Sequence, residues 1–381
     1  MDVKTIEAGI PAYVRRMLRR LEGSGHEAYI VGGAVRDLIL GRRVHDWDVC
    51  TTALPDEVAA LFRGSDASYA GFGTVSVPAG RTCVQITTMR LESGYDDLRR
   101  PNEVTFVNDL VLDLSRRDFT VNAIAADADG TVYDPFCGIS DLATKRISCV
   151  ADPDVSFSKD ALRMLRAVRF CAQLGFTLSP PTADALNAHS FLASRLSSER
   201  VTAEAEKILM SDRPQMLKSA YDLGLLKSCS AVISKDIKRL RFLPKDRGLR
   251  WCALLSLVDR ESFCLEANIR RMKSGAPPHS DSPEDIRYNL AAAGESATLA
   301  AAAMAQVSGN DGALKRVQAA ISAGYVTRKS LALSGRDIAK LGFEGSDISV
   351  AADKLLRYVS AHPEDNDKDI LLKIIGEDHG K

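Results

Sequence analysis

The sequence predicts a mixed α/β domain followed by an all-helical remainder. Before about residue 150, short apolar segments typical of strands alternate with short helical patterns and glycine turns. Beyond that point the pattern becomes helical and stays helical. Because one compact core rarely serves a chain of 381 residues, we expect about two to four domains.

The first elements can be placed in order along the chain. Apolar residues at helical spacing predict an amphipathic helix over residues 5–22. AYIVGGAV predicts a strand that meets a Gly-Gly turn, and VRDLILG predicts a helix stopped by Gly41. DWDVCTT predicts a second strand, and Pro55 opens the helix PDEVAALF.

A hairpin and two further strands complete the α/β part. GTVSVPAG and TCVQITTMR predict the hairpin, with Pro78 and Gly80 in its turn. TVNAIAAD and GTVYDPF predict more strand. In the helical part, residues 274–283 predict a polar loop, and Gly294 interrupts an alanine-rich helix.

Composition and cysteine usage predict the cellular setting. The formal net charge of +0 argues neither for nor against a polyanionic partner. The eight cysteines include no C-x-x-C pair and none at zinc-finger spacing from a histidine, which fits a reducing compartment. The first residues lack the apolar core of a signal peptide, and no window of about 18 apolar residues predicts a membrane span. We therefore expect a cytoplasmic protein.

Asp46 and Asp48 form the first candidate site. Residues two apart in a strand face the same side, so the two carboxylates should lie together with Trp47 on the opposite face. Two like charges this close are unfavourable unless a cation lies between them or one is protonated. Hard oxygen ligands suit Mg²⁺, so the pair predicts a site for two metal ions under a nucleoside triphosphate. The alternative is a solvated strand end, because D-x-D is common by chance.

Gly32 and Gly33 lie between a predicted strand and a predicted helix. In that position backbone N–H groups can approach phosphate oxygens closely. Arg36 follows within the first helical turn, where its guanidinium could reach the same oxygens. The alternative is a tight turn only. The segment is not a Walker loop, since no Gly-Lys-Ser/Thr follows.

Two later segments carry further candidates. In LSRRDFTVNAIAAD, Arg117 could bind a phosphate, and Asp118 and Asn122 a ribose hydroxyl. In KDALRMLRAVRF, Asp160 and Arg163 lie one helical turn apart and can form an i,i+3 pair. Such a pair offers acceptors and donors together, as recognition of a base edge requires. A solvated salt bridge is the alternative.

The motifs occur in an order that resembles one family. GGAVRD, DWD, GTVSV, RRP, RRDFTVNA, DPFCGISDL and KDALRMLRAVRF are similar to motifs of the class II tRNA nucleotidyltransferases and bacterial poly(A) polymerases, over roughly residues 28–205. The resemblance implies a polymerase-β-like nucleotidyltransferase head, a mixed sheet with helices, followed by an all-α neck, body and tail. It also implies that the neck recognises the incoming base without a nucleic-acid template.

The resemblance also implies domain bounds and residue roles. The expected domains are a head at 1–150, a neck at 151–210, a body at 211–273 and a tRNA-binding tail at 284–381. Asp46 and Asp48 match the catalytic metal ligands, and residues 197–209 match a segment that supports the base-reading helix through Glu199, Arg200 and Glu204. Spacing and resemblance together assign nucleotide binding to Gly32, Gly33, Arg36, Arg117, Asp118, Asn122, Asp160, Arg163, Arg166 and Arg169.

Three positions depart from the family pattern. Lys159 stands where the family has a glutamate that is expected to help orient the arginine, so the change bears on base selection. Ser156 replaces a family arginine. Gln85 stands where relatives often have an acid, which argues against a third carboxylate near the metals.

The resemblance implies addition of C, C and A to the tRNA 3′ end from CTP and ATP, with pyrophosphate release and two Mg²⁺ ions. The alternatives are an A-adding or CC-adding enzyme, a poly(A) polymerase, and an inactive RNA-binding relative. SYAGFGTVSV resembles the tRNA-type enzymes, and residues 91–101 resemble a loop needed for the switch to adenosine, with Arg99 and Arg100 as expected tRNA contacts. Basic segments at 235–250 and 270–273 are candidate contacts to RNA phosphates.

Overall fold

A computed structural model describes residues 3–93, 103–227, 229, 235–258 and 263–376. The chain divides into two compact units. The first comprises Met1–Arg200 with Asp222–Ser228, and the second Val201–Tyr221 with Cys229–Lys381. The predicted division into head, neck, body and tail stays a prediction.

The first unit contains the strands. Their bounds are β1 Ala28–Val31, β2 Trp47–Thr51, β3 Thr74–Ala79, β4 Thr82–Thr88, β5 Arg90–Ser93, β6 Glu103–Phe106, β7 Ala125–Ala126, β8 Val132–Tyr133, β9 Arg146–Ile147 and β10 Thr177–Leu178. Six of them form a sheet in the order β3-β4-β2-β1-β7-β8, in which only β2 and β4 pair in parallel. β5 pairs with β6 and β9 with β10 as separate ribbons.

Short helices pack around this sheet. They are α1 Val3–Gly9, α2 Ala12–Glu22, α3 Gly33–Ile39, α4 Pro55–Leu61, α5 Leu110–Ser115, α6 Gly138–Thr144, α7 Pro153–Lys159, α8 Leu162–Leu174 and α9 Pro180–His189. A part of the core places the later site: Val31, Cys50 and Met89 pack with Leu114 of α5. The end of α5 is therefore fixed beside the strands β1 and β2.

The mixed sheet, the α3 and α4 helices and the hairpin of β3 and β4 confirm the predicted elements. The predicted helix over 5–22 is divided at Pro11, because a proline disfavours helical geometry in the residue before it. Pro78 lies inside β3 rather than in the turn. Proline is tolerated there because β3 is an edge strand. The strand predicted for TVNAIAAD is wrong at its start, since Thr120–Asn122 form a 3-10 helix.

The second unit is built from helices. The boundary between the units falls inside α10 Ser198–Leu209, so that this unit begins at Val201. Its further helices are α11 Met216–Asp222, α12 Arg247–Ser256, α13 Ala267–Ser274, α14 Pro283–Ala293, α15 Glu295–Val307, α16 Ala313–Ala323, α17 Gly335–Lys340, α18 Ser346–Ala361 and α19 Lys368–Gly376. The break at Gly294 between α14 and α15 is confirmed. No helix within the described ranges is long and apolar enough to cross a membrane.

The basic segments of the second unit are partly used inside the fold. Arg250 is 2% exposed and donates to the backbone carbonyls of Leu209 and Ser211. Arg247 pairs with Glu206 at 2.9 Å, and Lys273 donates to a backbone carbonyl. The predicted contact to RNA phosphates is therefore wrong for Arg250, whose guanidinium is buried and bound to backbone carbonyls, and it stays a prediction for the other basic residues of these segments.

We expect Gly138→Ala to destabilise the first unit. A Cβ atom at Gly138 would meet the carbonyl oxygen of Thr120 and lie 2.8 Å from a side-chain carbon of Ile124. Such overpacking costs about 1–3 kcal/mol. Thermal unfolding should show a lower midpoint for this variant, with Gly71→Ala as the control because no atom lies within 4 Å of a Cβ there. Equal midpoints for the two variants would contradict the packing described here.

Candidate active site

One cavity of about 640 Å³ in the first unit collects the predicted site residues. Each predicted residue that the structure describes lines it, and Arg99 and Arg100 lie outside the described residues. Sequence reasoning did not assign several other lining residues to the site, among them Asp37, Arg116 and Phe170. The lining includes Gly32, Gly33, Arg36, Asp46, Asp48, Arg117, Asp118, Asn122, Asp160, Arg163, Arg166, Arg169 and Arg200.

The two predicted metal ligands lie at the start of β2. Asp46 comes just before the strand and Asp48 is its second residue, while Trp47 between them is buried. Both carboxylates line the cavity, as the alternation of strand residues predicts. In the parallel register of β2 and β4, Gln85 stands beside Asp48 and accepts a hydrogen bond from the hydroxyl of Ser76 at 2.9 Å. The side chain beside Asp48 is thus a neutral amide.

The electrostatic setting of Asp48 suits a cation. Water reaches its side chain through the open cavity, yet the surrounding protein removes much of its hydration. This desolvation raises the pKa of the Asp48 carboxyl above its ordinary value, and the charge of Asp46 raises it further, against the attraction of Arg117. A positive charge between the two carboxylates would offset both the desolvation of Asp48 and its repulsion by Asp46.

Gly32 links the end of β1 to α3 in a conformation that only glycine adopts readily. Its φ is +72° and its ψ −130°, and a Cβ atom there would lie 2.9 Å from Nη1 of Arg117. The Gly32 N–H donates to the carbonyl of Ile124 at 3.1 Å. The expectation that this N–H binds phosphate is therefore wrong, because the fold uses it. Gly32 instead lets the guanidinium of Arg117 approach the backbone.

A buried carboxylate holds the first pair of arginines. Asp113 of α5 is fully buried and accepts from Arg116 at 2.8 Å and from Arg117 at 3.3 Å. Burial alone would raise the pKa of Asp113, but the two guanidinium groups outweigh it and keep the pKa below its ordinary value. The backbone N–H of Arg90, at the start of β5, also donates to this carboxylate at 3.2 Å. Sequence reasoning missed Asp113, although its i,i+3 and i,i+4 spacing to the arginines was a usable signal.

Asp118 and Asn122 form a second buried support. The Asp118 carboxylate accepts from the backbone N–H of Phe119 at 2.9 Å, from the Asn122 amide at 3.0 Å and from Nε of Arg166 at 2.8 Å. Asn122 accepts from Arg36 at 2.6 Å. Burial would raise the pKa of Asp118, yet the charge of Arg166 and these hydrogen bonds lower it to about 2. Both polar side chains therefore fix arginines, and their predicted contact to a ribose stays a prediction.

The helix predicted across KDALRMLRAVRF is interrupted. α7 ends at Lys159, Asp160 is extended with φ −140° and ψ 98°, and α8 begins at Leu162. The predicted i,i+3 ion pair does not form. Asp160 accepts from the backbone N–H of Leu162 at 3.0 Å and pairs with Arg200 at 3.3 Å. The physical reason is that the Asp160 side chain bonds a nearby backbone N–H at the start of α8, which competes with a continuous helix.

Phe170 was also missed by sequence reasoning. Its buried ring lies under three guanidinium groups, with Arg169 at 4.0 Å, Arg36 at 5.4 Å and Arg166 at 5.7 Å from the ring centroid. It also packs edge to face on Phe119 at 5.7 Å. Helical spacing places Phe170 one turn beyond Arg166, but that pattern alone is also typical of an ordinary core residue.

The cavity as a whole favours a polyanion. Its lining carries seven arginines against five aspartates, a formal charge of +2. Arginines supply bidentate donors that match phosphate oxygens, and the aspartate pair at β2 supplies oxygen ligands for a hard cation. A nucleoside triphosphate with its metal ions combines both chemistries.

Two segments of the chain match described families. Residues 28–148 match the Poly A polymerase head domain. Residues 175–229 match the family described as "Probable RNA and SrmB- binding site of polymerase A". The fold and the site of the first unit are those of a nucleotidyltransferase.

Comparison with similar proteins indicates which kind of nucleotidyltransferase this is. The CCA-adding enzyme of Levilactobacillus brevis is 45% identical over 229 residues, which span 59% of this chain and 58% of that enzyme. The CCA-adding enzyme of Limosilactobacillus fermentum is 35% identical over 399 residues, with 99% of each chain covered. The crystal structure of the Bacillus stearothermophilus CCA-adding enzyme in complex with CTP has a TM-score of 0.81 at 28% identity, with 97% of each chain covered. The chain belongs to the CCA-adding enzymes, a family of tRNA nucleotidyltransferases.

Asp118→Asn should lower stability in a pH-dependent way. The folded carboxyl has a pKa of about 2 against an ordinary value of 3.8, so its ionised form stabilises the fold above about pH 3.8. This contribution, about 1.5–3 kcal/mol for bonds to a charged group, is lost as the pH falls toward the folded pKa. In urea denaturation, the difference in free energy of unfolding between wild type and variant should be constant above about pH 3.8 and should become smaller at lower pH.

Asp184→Asn is the matched control, because Asp184 is exposed on α9. It should follow the wild-type stability at every pH. If the difference in free energy of unfolding between wild type and Asp118→Asn grew as the pH fell, Arg166 would not be stabilising the charged carboxylate.

Proposed function

We propose that this protein adds C, C and A to the 3′ end of tRNA, using CTP and ATP and releasing pyrophosphate. The observation that carries the proposal is the convergence on one cavity of a carboxylate pair, seven arginines and the Asp160–Arg163 segment. Membership of the CCA-adding family supports it, as does the structural likeness to a relative that was crystallised with CTP. We further propose that it acts in the cytoplasm, where tRNA is its partner.

The residues of the site fit divalent metal ions that arrive with the nucleotide. Asp46 and Asp48 offer hard oxygen ligands, and desolvation and mutual repulsion leave them favouring a nearby cation. Within the described ranges, no group of three or more His, Cys, Asp or Glu side chains is placed to hold a metal. We therefore propose two Mg²⁺ ions whose other ligands are phosphate oxygens and water. Such ions supply charge neutralisation and a more acidic attacking hydroxyl.

Arginines would hold the triphosphate against that pair. Arg117 lies beside Gly32 and lowers the pKa of Asp48 through its charge, so it spans the backbone turn and the metal ligands. Arg36 has its guanidinium fixed by Asp37 at 2.9 Å and by Asn122. Because both arginines are held in place before substrate binds, little side-chain entropy remains to be lost.

Asp160 and Arg163 would select the base. A carboxylate accepts from an amino group, and cytosine N4 and adenine N6 are amino donors where uracil and guanine present O4 and O6 acceptors. Asp160 would therefore attract cytosine and adenine and repel uracil and guanine. Arg163 would donate to the acceptor atoms of the base ring. No nucleic-acid template is needed, because both groups belong to the protein. The 3′-hydroxyl of the tRNA would then attack the α-phosphorus in line.

The direct test supplies Mg²⁺, CTP, ATP and a tRNA that ends at the discriminator base. We expect extension by C, C and A and then arrest, seen as a three-nucleotide shift on a denaturing gel. Addition of A alone to a tRNA that ends in C-C would indicate a partial enzyme. Long adenosine tails on unrelated RNA would indicate a poly(A) polymerase. Absence of any extension would overturn the proposed activity.

Asp48→Asn should reduce incorporation by about a hundredfold or more, because it removes a charged ligand of the reacting phosphate's cations. Binding of tRNA, measured by filter retention, should stay largely unchanged. Asp56→Asn is the matched control, since Asp56 is exposed on α4 outside the cavity. Near-wild-type activity of Asp48→Asn would refute the metal assignment.

A further inference from the structure

The resemblance to the family implies a glutamate four positions before Arg163, and the structure shows how Arg163 is oriented without it. Lys159 occupies that position, at the end of α7, and its side chain is exposed. The guanidinium of Arg163 instead donates from Nη1 to the hydroxyl of Ser156 at 2.9 Å and from Nη2 to the backbone carbonyl of Arg116 at 2.8 Å. Both acceptors are uncharged oxygens.

Ser156 is itself rigidly placed. It is 1% exposed on α7, next to the fully buried Phe157. The first turn of α7 is fixed by Asp152, whose side chain accepts from the backbone N–H groups of Asp154 and Val155. A buried hydroxyl with one rotatable bond loses little freedom when it binds a guanidinium.

The second acceptor connects Arg163 to the phosphate side of the cavity. The Arg116 carbonyl belongs to a residue whose guanidinium is bound to the fully buried Asp113. Arg163 is thus held between a buried hydroxyl on α7 and a backbone segment fixed by a buried carboxylate. Two of its N–H groups are used in this way, and the cavity receives the rest of the guanidinium.

We infer that Ser156 is a specificity-determining positioning residue, which orients Arg163 for reading the base in a chain that has Lys159 at the position of the implied glutamate. The inference rests on the proposed function and deepens it. Replacing a carboxylate partner by neutral oxygens leaves the charge of Arg163 available to the base and phosphates. Orientation then depends on the Ser156 hydroxyl, since the backbone carbonyl alone leaves the guanidinium free to turn about one hydrogen bond.

The test compares Ser156→Ala with Ser158→Ala, the same substitution at an exposed position two residues along α7. kcat and KM are measured for CTP, ATP, UTP and GTP on tRNAs that lack one, two or three 3′ nucleotides. Ser156→Ala should lower the preference for CTP and ATP over UTP and GTP by about tenfold, the equivalent of one hydrogen bond to a charged group. Ser158→Ala should keep the wild-type preference, and Ser156→Thr, which retains the hydroxyl, should restore most of it.

Two results would overturn the inference. One is a wild-type preference in Ser156→Ala, and the other is an equal loss of kcat/KM for all four nucleotides, which indicates a structural defect only. If Ser156→Ala unfolds at the assay temperature, Ser156→Cys supplies the same test, because sulfur is a weak acceptor of similar size. Calorimetric binding of CTP against UTP gives the same comparison without tRNA. Failure of wild type to extend tRNA would remove the proposed function and leave this binding comparison to decide the role of Ser156.

Discussion

Repulsion between guanidinium groups is the constraint on which this site depends. Seven arginines line one cavity, and each additional cation costs free energy unless an acceptor holds it. The fold meets this cost with buried carboxylates that accept from the arginines. Asp113 holds Arg116 and Arg117, and Asp118 holds Arg166. A phosphate-binding surface therefore exists before any phosphate arrives, which is the arrangement that electrostatic preorganisation requires.

These supports follow from where the chain places its polar residues. α5 ends beside β1 and β2, the strand that carries the proposed metal ligand Asp48, because Leu114 packs with Val31 and Cys50 in the core. Asp113, adjacent in sequence, then lies beneath the arginines that follow it. Buried carboxylates without partners would be protonated or destabilising, so each arginine stabilises its acid as much as the acid positions the arginine. Removing Asp113 or Asp118 takes away the acceptor of the arginines that it holds, and removing an arginine withdraws one of the charges that keep the buried carboxylate ionised.

The sequence identified most of the cavity lining, because the motifs are local and their spacing survives in the fold. D-x-D places two carboxylates together by strand alternation, and the glycines mark the turn before α3. Three features required tertiary structure. The helix break at Asp160 arises from a side-chain cap and from Arg200, forty residues away. Asn122 lies in a 3-10 helix, where its amide bridges Asp118 and Arg36, and Phe170 contacts the arginines in a way that no single-element pattern contains.

The arginines and the carboxylate pair of the cavity differ in whether the protein itself supplies their partners. On the arginine side, buried protein acceptors already bind the guanidinium groups and fix their positions. On the carboxylate side, Asp46 and Asp48 line the cavity, with the neutral amide of Gln85 beside Asp48. Two carboxylates cannot fill the six-coordinate shell that Mg²⁺ prefers, so phosphate oxygens and water must supply its other ligands. We therefore expect metal binding to be coupled to triphosphate binding, and if the arginines hold the triphosphate as proposed, they also determine indirectly where the cations lie.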